Sequence, residues 1–383
     1  MTTVIGLISG TSMDAIDVAV ARFTWDAPGV LVLTPLGHRE LPWPAAPQGR
    51  LRAALPPAPV TMAEVCQLDV LVGEAFADAA LAGVALAGGH ADLVCSHGQN
   101  VFHWVQDGRA RGTLQLGQPA VIAERTGLPV VSDLRARDVA AGGQGAPLAS
   151  TLDALWLAGE EKRAALNLGG IANITVVGRP GDPVRAYDTG PASCLLDVEA
   201  QRLTGVPFDR DGALARAGQV DEALLARLLA ESYYRLPPPK STGRELFHTG
   251  YVAQRRGAVD AANLMATLTE LTAATVADAC RRENVAEVVA SGGGVRNPAL
   301  MDALRRRLGP VRLLTSEQRG LPSEAKEAYL FALLGFLCIA GLHGTVPGAT
   351  GAPPRVLGRI SPGAGPLMLP PPALPVTTLR IGR

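Results

Sequence analysis

Three features of this 383-residue chain predict an α/β fold in two units. The length exceeds what one hydrophobic core ordinarily organises. Strand-like runs alternate with helix-like ones along most of the chain, the pattern of layered α/β proteins. A strand–polar turn–strand unit also occurs twice, as VIGLISGTSMDAIDVAVARF (4–23) and RAALNLGGIANITVVG (163–178). Such an internal echo is what a two-unit protein leaves in its sequence.

The elements follow in order. VIGLIS (4–9) and IDVAVARF (16–23) read as strands joined by a glycine- and hydroxyl-rich turn. Residues 35–59 are proline-rich and read as a meandering connection, and 62–87 have helical spacing. ADLVCSHG (91–98) is a strand ending in a polar loop and TLQLG (113–117) a short strand. PAVIAERTG (119–127) is a helix closed by Gly127. LPVVSDLR (128–135) reads as a strand with a polar C-terminal end that includes Arg135. The loop AAGGQGAPL (140–148) and a helix over 149–158 follow. In the second half, VRAYD reads as a strand ending at Asp188, 258–282 as a helix, and EVVASGGGVRNPAL (287–300) as strand, triple-glycine turn and helix, the last opened by Asn297-Pro298. VRLLT (311–315) is a strand, 324–342 a long helix, and VLGRI (356–360) a short strand in a Pro/Gly-rich tail. The division predicted is 1–158, 159–345 and a tail, 346–383, packing back on the first lobe.

Composition narrows the function. Hydrophobic residues make up 48% of the chain and charged ones 18%, enough apolar surface for large cores. The net charge is zero, which offers no electrostatic footprint for nucleic acid or an acidic membrane. The run Arg305–Arg307 reads as a solvated helix face. Five scattered cysteines form no C-x-x-C pair, which argues against a disulfide framework or zinc site and for a reducing compartment. The start MTTVIGLISG has no basic leader or cleavage site, so a cytoplasmic location is expected. AYLFALLGFLCIAGL (328–342) is short for a membrane span and reads as a core helix.

Three strand–turn units carry glycine at the turn: 9–14, 167–173 and 291–297. Glycine lets successive backbone N–H groups approach an anion and form a concave donor surface for phosphate. Neither G-x-x-x-x-G-K-[ST] nor G-x-G-x-x-G is present, so a phosphate would have to be clamped by hairpins. In the first turn Thr11 and Ser12 are candidate donors to phosphate oxygens, and Asp14 or Asp17 would hold Mg²⁺ directly or through water. Turn chemistry alone also favours Ser, Thr, Asp and Gly at such positions, but this cluster is denser than one turn requires.

SGTSMDAID resembles the first phosphate loop of the anhydro-N-acetylmuramic acid kinases, members of the sugar kinase/heat-shock 70/actin superfamily. CSHGQNVFH (95–103), TLQLGQPA (113–120), SDLRARDVAAGGQGAPL (132–148), NLGGIANIT (167–175), DTGPASCLLD (188–197), PPKSTGRELF (238–247), SGGGVRNPALM (291–301), AKEAYLFALL (325–334) and GATGAPPRVLGRI (348–360) also resemble family segments, in family order. The likeness runs over nearly the whole chain. It departs from the family pattern at Ala15, Asn100, Ala192 and Ser193, all small or polar replacements beside a motif.

The resemblance implies a two-lobed actin-like ATPase fold with a central nucleotide cleft. It implies ATP-dependent hydrolytic opening of the 1,6-anhydro ring of anhydro-N-acetylmuramic acid and phosphorylation of O6, a step of cell-wall recycling. Asp188 would be the base for the attacking water. Gly10, Thr11, Ser12, Met13, Asp14 and Asp17 would form the first phosphate loop, and Gly169, Gly170 and Asn173 the second. Gly292, Gly293, Gly294 and Asn297 would border the adenosine. Arg135 would pair with the lactyl carboxylate, and Glu327, His97, Gln99 and Gln115 would contact the sugar. Lys240, Ser241 and Arg244 either line the cleft or orient a loop. ATP and Mg²⁺ are the expected cofactors and a homodimer the expected assembly, with no nucleic-acid or membrane partner. Two other readings fit part of the pattern. One is a kinase of the same fold acting on another hydroxyl or carboxylate, and the other is a nucleotide-switched actin-like binding protein.

Overall fold

The computed structural model describes residues 1–10, 12–371 and 373–382. Thr11, the expected phosphate donor, lies outside the described residues. In chain order the strands are β1 (Thr2–Ser9), β2 (Ala15–Ala27), β3 (Val30–Pro42), β4 (Leu93–Gln106), β5 (Arg109–Leu116), β6 (Val130–Ser132), β7 (Arg163–Leu168), β8 (Ile171–Val177), β9 (Arg185–Pro191), β10 (Glu287–Ser291), β11 (Arg312–Thr315), β12 (Arg359–Ser361) and β13 (Thr378–Ile381). They divide between two compact units, Met1–Trp156 with Ala325–Arg383, and Leu157–Glu324.

The sheet of the first unit runs β12-β6-β4-β1-β2-β3-β13, with β5 hairpinned onto β4. The sheet of the second runs β11-β10-β7-β8-β9. In each unit the first three strands form an antiparallel meander. Two further strands then add in parallel on the side of the first strand. The internal echo therefore extends from one hairpin to five strands in the same spatial order. This doubled α/β unit is the actin-like class that the motifs imply.

Local chemistry explains the boundaries of the helices. Thr61 caps the helix Met62–Leu86 by accepting from the Glu64 N–H at 3.1 Å. Pro119 opens the helix Pro119–Thr126, and Gly127, at φ 71°, closes it. Asn297 caps Pro298–Leu308 through the Leu300 N–H. In the first unit, Ile5, Leu7, Val18 and Val20 pack with Val72, Phe76 and Ala80 of Met62–Leu86. In the second, Leu166, Leu168, Ile174 and Val288 pack with the helices Ala261–Glu283 and Pro298–Leu308. Among the described residues no helix is long and apolar enough to cross a membrane.

Three expectations need correction. The stretch read as a connection from residue 35 contains most of β3, which pairs with β2 from Val30 to Pro42. Pro35 stands beside a bulge: the β2–β3 register passes from Val20 opposite Gly37 to Ala21 opposite Pro35, which leaves Leu36 as the extra residue, and proline is tolerated next to such a break in the ladder. Arg135 does not end a strand. β6 stops at Ser132, Asp133 turns the chain at φ 54°, and Arg135 lies in the first turn of the helix Leu134–Ala140. Finally, the helix Lys326–Ile339, read as part of the second lobe, belongs to the first unit. Its backbone crosses β1 so closely that a Cβ at Gly6 would lie 2.0 Å from the Ala328 carbonyl oxygen. That contact fixes the height of Glu327 above the sheet.

Candidate active site

The first phosphate-loop candidate is the turn between β1 and β2. The Met13 N–H closes it on the Gly10 carbonyl at 3.1 Å. Met13 itself is a core residue, 1% exposed, and its side chain anchors the turn. Its carbonyl accepts from Gln48 Nε2 at 2.6 Å, and Ser9 Oγ accepts from Trp43 Nε1 at 2.9 Å. Ser12 is exposed, and its carbonyl accepts from Arg52 Nη2. Asp14 is also exposed and lies 3.5 Å from Arg52, whereas Asp17 sits within β2 opposite Ile8. Gln99, expected at the sugar, is fully buried, and its Nε2 donates to the Gly10 and Asn100 carbonyls at 3.3 and 3.2 Å. It braces the turn from beneath.

In the second unit, Asn167, Asn173 and Asp188 stand opposite one another on β7, β8 and β9. Cross-strand partners share a face, so these three form a polar row on the side away from Leu166, Ile174 and Tyr187. Asp188 lies inside β9, which continues through Thr189-Gly190-Pro191, and not at a strand end as the sequence implies. Its Oδ2 accepts from the Thr242 N–H at 2.9 Å. Its own N–H donates to the Lys240 carbonyl, and its carbonyl accepts from Tyr233 Oη at 2.8 Å. Burial raises the Asp188 carboxyl above the ordinary aspartate range and Glu245 adds to this, against the pull of the Thr242 N–H. A partly buried carboxylate whose second oxygen accepts no hydrogen bond among the described residues suits a general base.

The glycines separate into two groups. A Cβ at Gly292 would lie 2.6 Å from Asn167 Oδ1, at φ 86°, and one at Gly294 would lie 2.6 Å from Leu168 Cβ. These two are needed for the close packing of β10 and its turn on β7. No such demand exists at Gly10, Gly169, Gly170 or Gly293, where nothing among the described residues beyond the chain neighbours approaches an added Cβ closer than 3.7 Å. None of these four adopts a left-handed φ. The packing of the fold does not explain them, and they leave bare main chain that a ligand could approach. The Gly169 and Gly170 carbonyls accept from Ser193, Ala192 and Cys194 N–H groups, which ties this hairpin to the start of the helix Ser193–Thr204. Asn297 serves as the cap already described, and that is the only use of its Oδ1 among the described residues.

The sugar candidates His97, Arg135 and Glu327 are neighbours in the first unit. His97 is 5% exposed and tilted against Phe331 at 4.7 Å. Its Nδ1–H donates to the Gly98 carbonyl at 2.9 Å, and its Nε2 accepts from Arg135 Nε at 2.7 Å. Both ring nitrogens thus have protein partners, and His97 supports Arg135. Arg135 Nη1 also donates to the Gly145 carbonyl at 2.8 Å, while the Gly145 N–H donates to buried Asp138. Burial holds the Arg135 guanidinium below its usual range, opposed by Glu327 and Asp138. Surrounding protein pushes the Glu327 carboxyl up, opposed by Arg135 and Lys326, although part of its side chain reaches solvent. The neighbouring Lys326 pairs with buried Asp153 at 2.6 Å. Gln115 Nε2 donates to Asn100 Oδ1 and Thr113 Oγ1. A cavity of about 240 Å³ brings Gln115 and His97 together with Ser96, Ser132 and Asp133, but Arg135 and Glu327 do not line it.

The His97 arrangement has a pH signature. Burial and then the Arg135 charge lower its pKa from 6.5 to about 3, against a small upward pull from the Gly98 carbonyl. An unfolded chain takes up that proton as pH falls through 6.5, and the folded one refuses it until about 3. Stability is therefore present above 6.5 and is lost on going down through this window, by at most about 1.4 kcal/mol per pH unit. Denaturant unfolding from pH 7 to 4 should show a shallower loss in His97→Gln than in the parent. Equal slopes would mean that His97 is not held neutral.

Thr242, Tyr233 and Asn167 escaped the sequence reading. Thr242 acts through its backbone, which has no residue signature. Tyr233 lies far from Asp188 in sequence. Asn167 is visible only once β7 and β8 are paired.

A family model described as anhydro-N-acetylmuramic acid kinase matches residues 2–363. A protein of that name from Streptomyces avermitilis is 56% identical over 376 residues, 96% of this chain and 96% of its own length. Those from Streptomyces coelicolor and Rhodococcus erythropolis are 53% and 51% identical, covering 97% and 94% of this chain and 96% and 94% of their own lengths. Among solved structures, a ROK hexokinase from Thermus thermophilus aligns with 87% of this chain and 98% of its own at 18% identity. Its TM-score of 0.37 is too low to add to the sequence relationship.

Proposed function

The chain belongs to the anhydro-N-acetylmuramic acid kinase family, and from that membership we propose that it opens the 1,6-anhydro ring of its sugar with water and phosphorylates O6 from ATP. The product is N-acetylmuramic acid 6-phosphate, and the pathway is cell-wall recycling. Asp188 takes a proton from water as the water oxygen bonds to the anomeric carbon. The bond from that carbon to O6 breaks, O6 bonds to the γ-phosphorus, and ADP leaves. The observation that carries this reading is the Asp188 carboxylate, held by the Thr242 N–H and raised by burial, on a polar row that begins beside a glycine hairpin the fold does not require.

The turn at Gly10 and the turn at Gly169–Gly170 are read as phosphate-holding turns on the strength of their bare main chain. Among the described residues no group of three or more His, Cys, Asp or Glu side chains is placed to hold a metal ion. A Mg²⁺ that arrives with ATP needs only one or two carboxylates besides the phosphates, and Asp14 and Asp17 fit that need. When bound, it would neutralise charge developing on the β- and γ-phosphate oxygens.

The direct test is ATP turnover with and without 1,6-anhydro-N-acetylmuramic acid. ADP formation that depends on the sugar supports the kinase, and basal hydrolysis indifferent to it supports a nucleotide switch. A second expectation concerns Arg135, whose planar fork suits the lactyl carboxylate. Arg135→Lys keeps the charge but loses the Nε donor to His97. KM for the sugar should rise about tenfold or more while KM for ATP stays near the parent value. Equal loss for both substrates would assign Arg135 to the fold or to the phosphates.

A further inference from the structure

The segment PPKSTGRELF (238–247) reaches Asp188 through the Lys240 carbonyl and the Thr242 N–H, and the way the Lys240 side chain is held gives that side chain a role of its own. Lys240 Nζ donates to the Tyr233 and Tyr234 carbonyls at 3.1 and 3.4 Å and lies 4.6 Å from the centre of the Tyr233 ring. The ammonium is thus spent on two carbonyls and an aromatic face, all from the short turn Ser232–Arg235. The same two strips of chain grip Asp188 from both sides. The Lys240 carbonyl accepts the Asp188 N–H at 3.2 Å, and Tyr233 Oη donates to the Asp188 carbonyl at 2.8 Å. Two residues on, the Thr242 N–H donates to Asp188 Oδ2 at 2.9 Å. Lys240 is the side chain that ties these strips together.

We propose that Lys240 is a positioning residue, whose ammonium pins residues 240–242 to the Tyr233 turn so that the Thr242 N–H orients the Asp188 carboxylate. The proposal rests on Asp188 being the base. A lysine in a kinase is more readily imagined on a phosphate, and that is the competing outcome. Here its ammonium already meets two carbonyls and an aromatic face, and burial and Arg282 hold its pKa below the usual lysine range against the pull of Asp278. The ionisable groups facing Asp188 are Glu245 and Tyr233, and both remain in the variants below.

Lys240→Met keeps the apolar stem and removes the pin. It should lower kcat on the order of tenfold to a hundredfold, with KM for ATP and for the sugar both near the parent values. The acid limb of the kcat–pH profile should move up by about half a unit to one unit, because the carboxylate loses a fixed donor. Hydrogen exchange at the Thr242 amide should quicken in the free protein, and Lys240→Arg should restore most of each effect. Should the Met variant fail to fold, Lys240→Gln is read in the same way. Unchanged kcat and acid limb, or a raised KM for ATP at unchanged kcat, would overturn the proposal. Amide exchange separates this failure from failure of the base assignment. If Asp188→Asn kept full activity, the base role would be lost and the catalytic role of Lys240 with it. Faster Thr242 exchange in Lys240→Met would then still report the pin itself.

Discussion

Asp188→Asn should reduce turnover by about 10² to 10⁴, the usual contribution of a positioned general base, while leaving ATP affinity unchanged. The amide is isosteric, and its oxygen still accepts from the Thr242 N–H that now meets Asp188 Oδ2. What disappears is the capacity to take a proton from water. The parent enzyme should lose activity as pH falls through the Asp188 pKa, and that acid limb should lie above the ordinary aspartate range because burial raises this carboxyl. In the variant the limb should vanish along with the rate. Kinetics over a pH series, paired with calorimetric titration of ATP, separates the two effects. A variant that neither turns over nor binds ATP would make Asp188 a structural residue of β9.

Gly10→Val should do the reverse. An added Cβ at Gly10 meets, among the described residues beyond its chain neighbours, only Ser12 Oγ, at 3.9 Å, so packing offers little resistance and the melting temperature should hardly move. A phosphate approaching the Gly10 main chain has no such room. Loss of one or two charge-assisted bonds to a phosphate is worth roughly 3 kcal/mol, so ATP affinity should fall about a hundredfold while sugar binding persists. Gly294→Val is the contrasting case, because its Cβ would meet Leu168 at 2.6 Å and the cost would appear in stability. Normal ATP binding by Gly10→Val would reduce the polar tip of the first hairpin to a turn.

How much of this was legible in the sequence depended on how local the physical cause was. The hairpins at 4–23 and 163–178 announce themselves because alternation, glycine and hydroxyl residues are all within one window. The helix ends at Thr61, Gly127 and Asn297 are equally local, each set by one cap. β3 was hidden because Pro35 looks like a breaker and becomes tolerable only at a bulge whose partner strand lies elsewhere. The helix carrying Arg135 was hidden because β6 has only three residues and the break is a left-handed aspartate, which residue preference does not foretell.

The site divides in the same way. Asp188 and the glycine turns could be named from motifs. Which glycines the fold itself needs could not, since the answer lies in the distance from Gly292 and Gly294 to β7. His97 looked like a ligand contact in isolation. Its second nitrogen is taken by a guanidinium 38 residues away, and only folding puts the two together.

The central claim is that ring opening and phosphoryl transfer form one event that delivers the phosphate to O6. The most direct measurement follows the γ-phosphate by phosphorus NMR while ATP is turned over with the anhydro sugar. Each ADP should be matched by one phosphate monoester coupled to the protons on carbon 6, with no inorganic phosphate and no signal when the sugar is left out. Inorganic phosphate in step with ADP, or a monoester on another oxygen, would contradict the account.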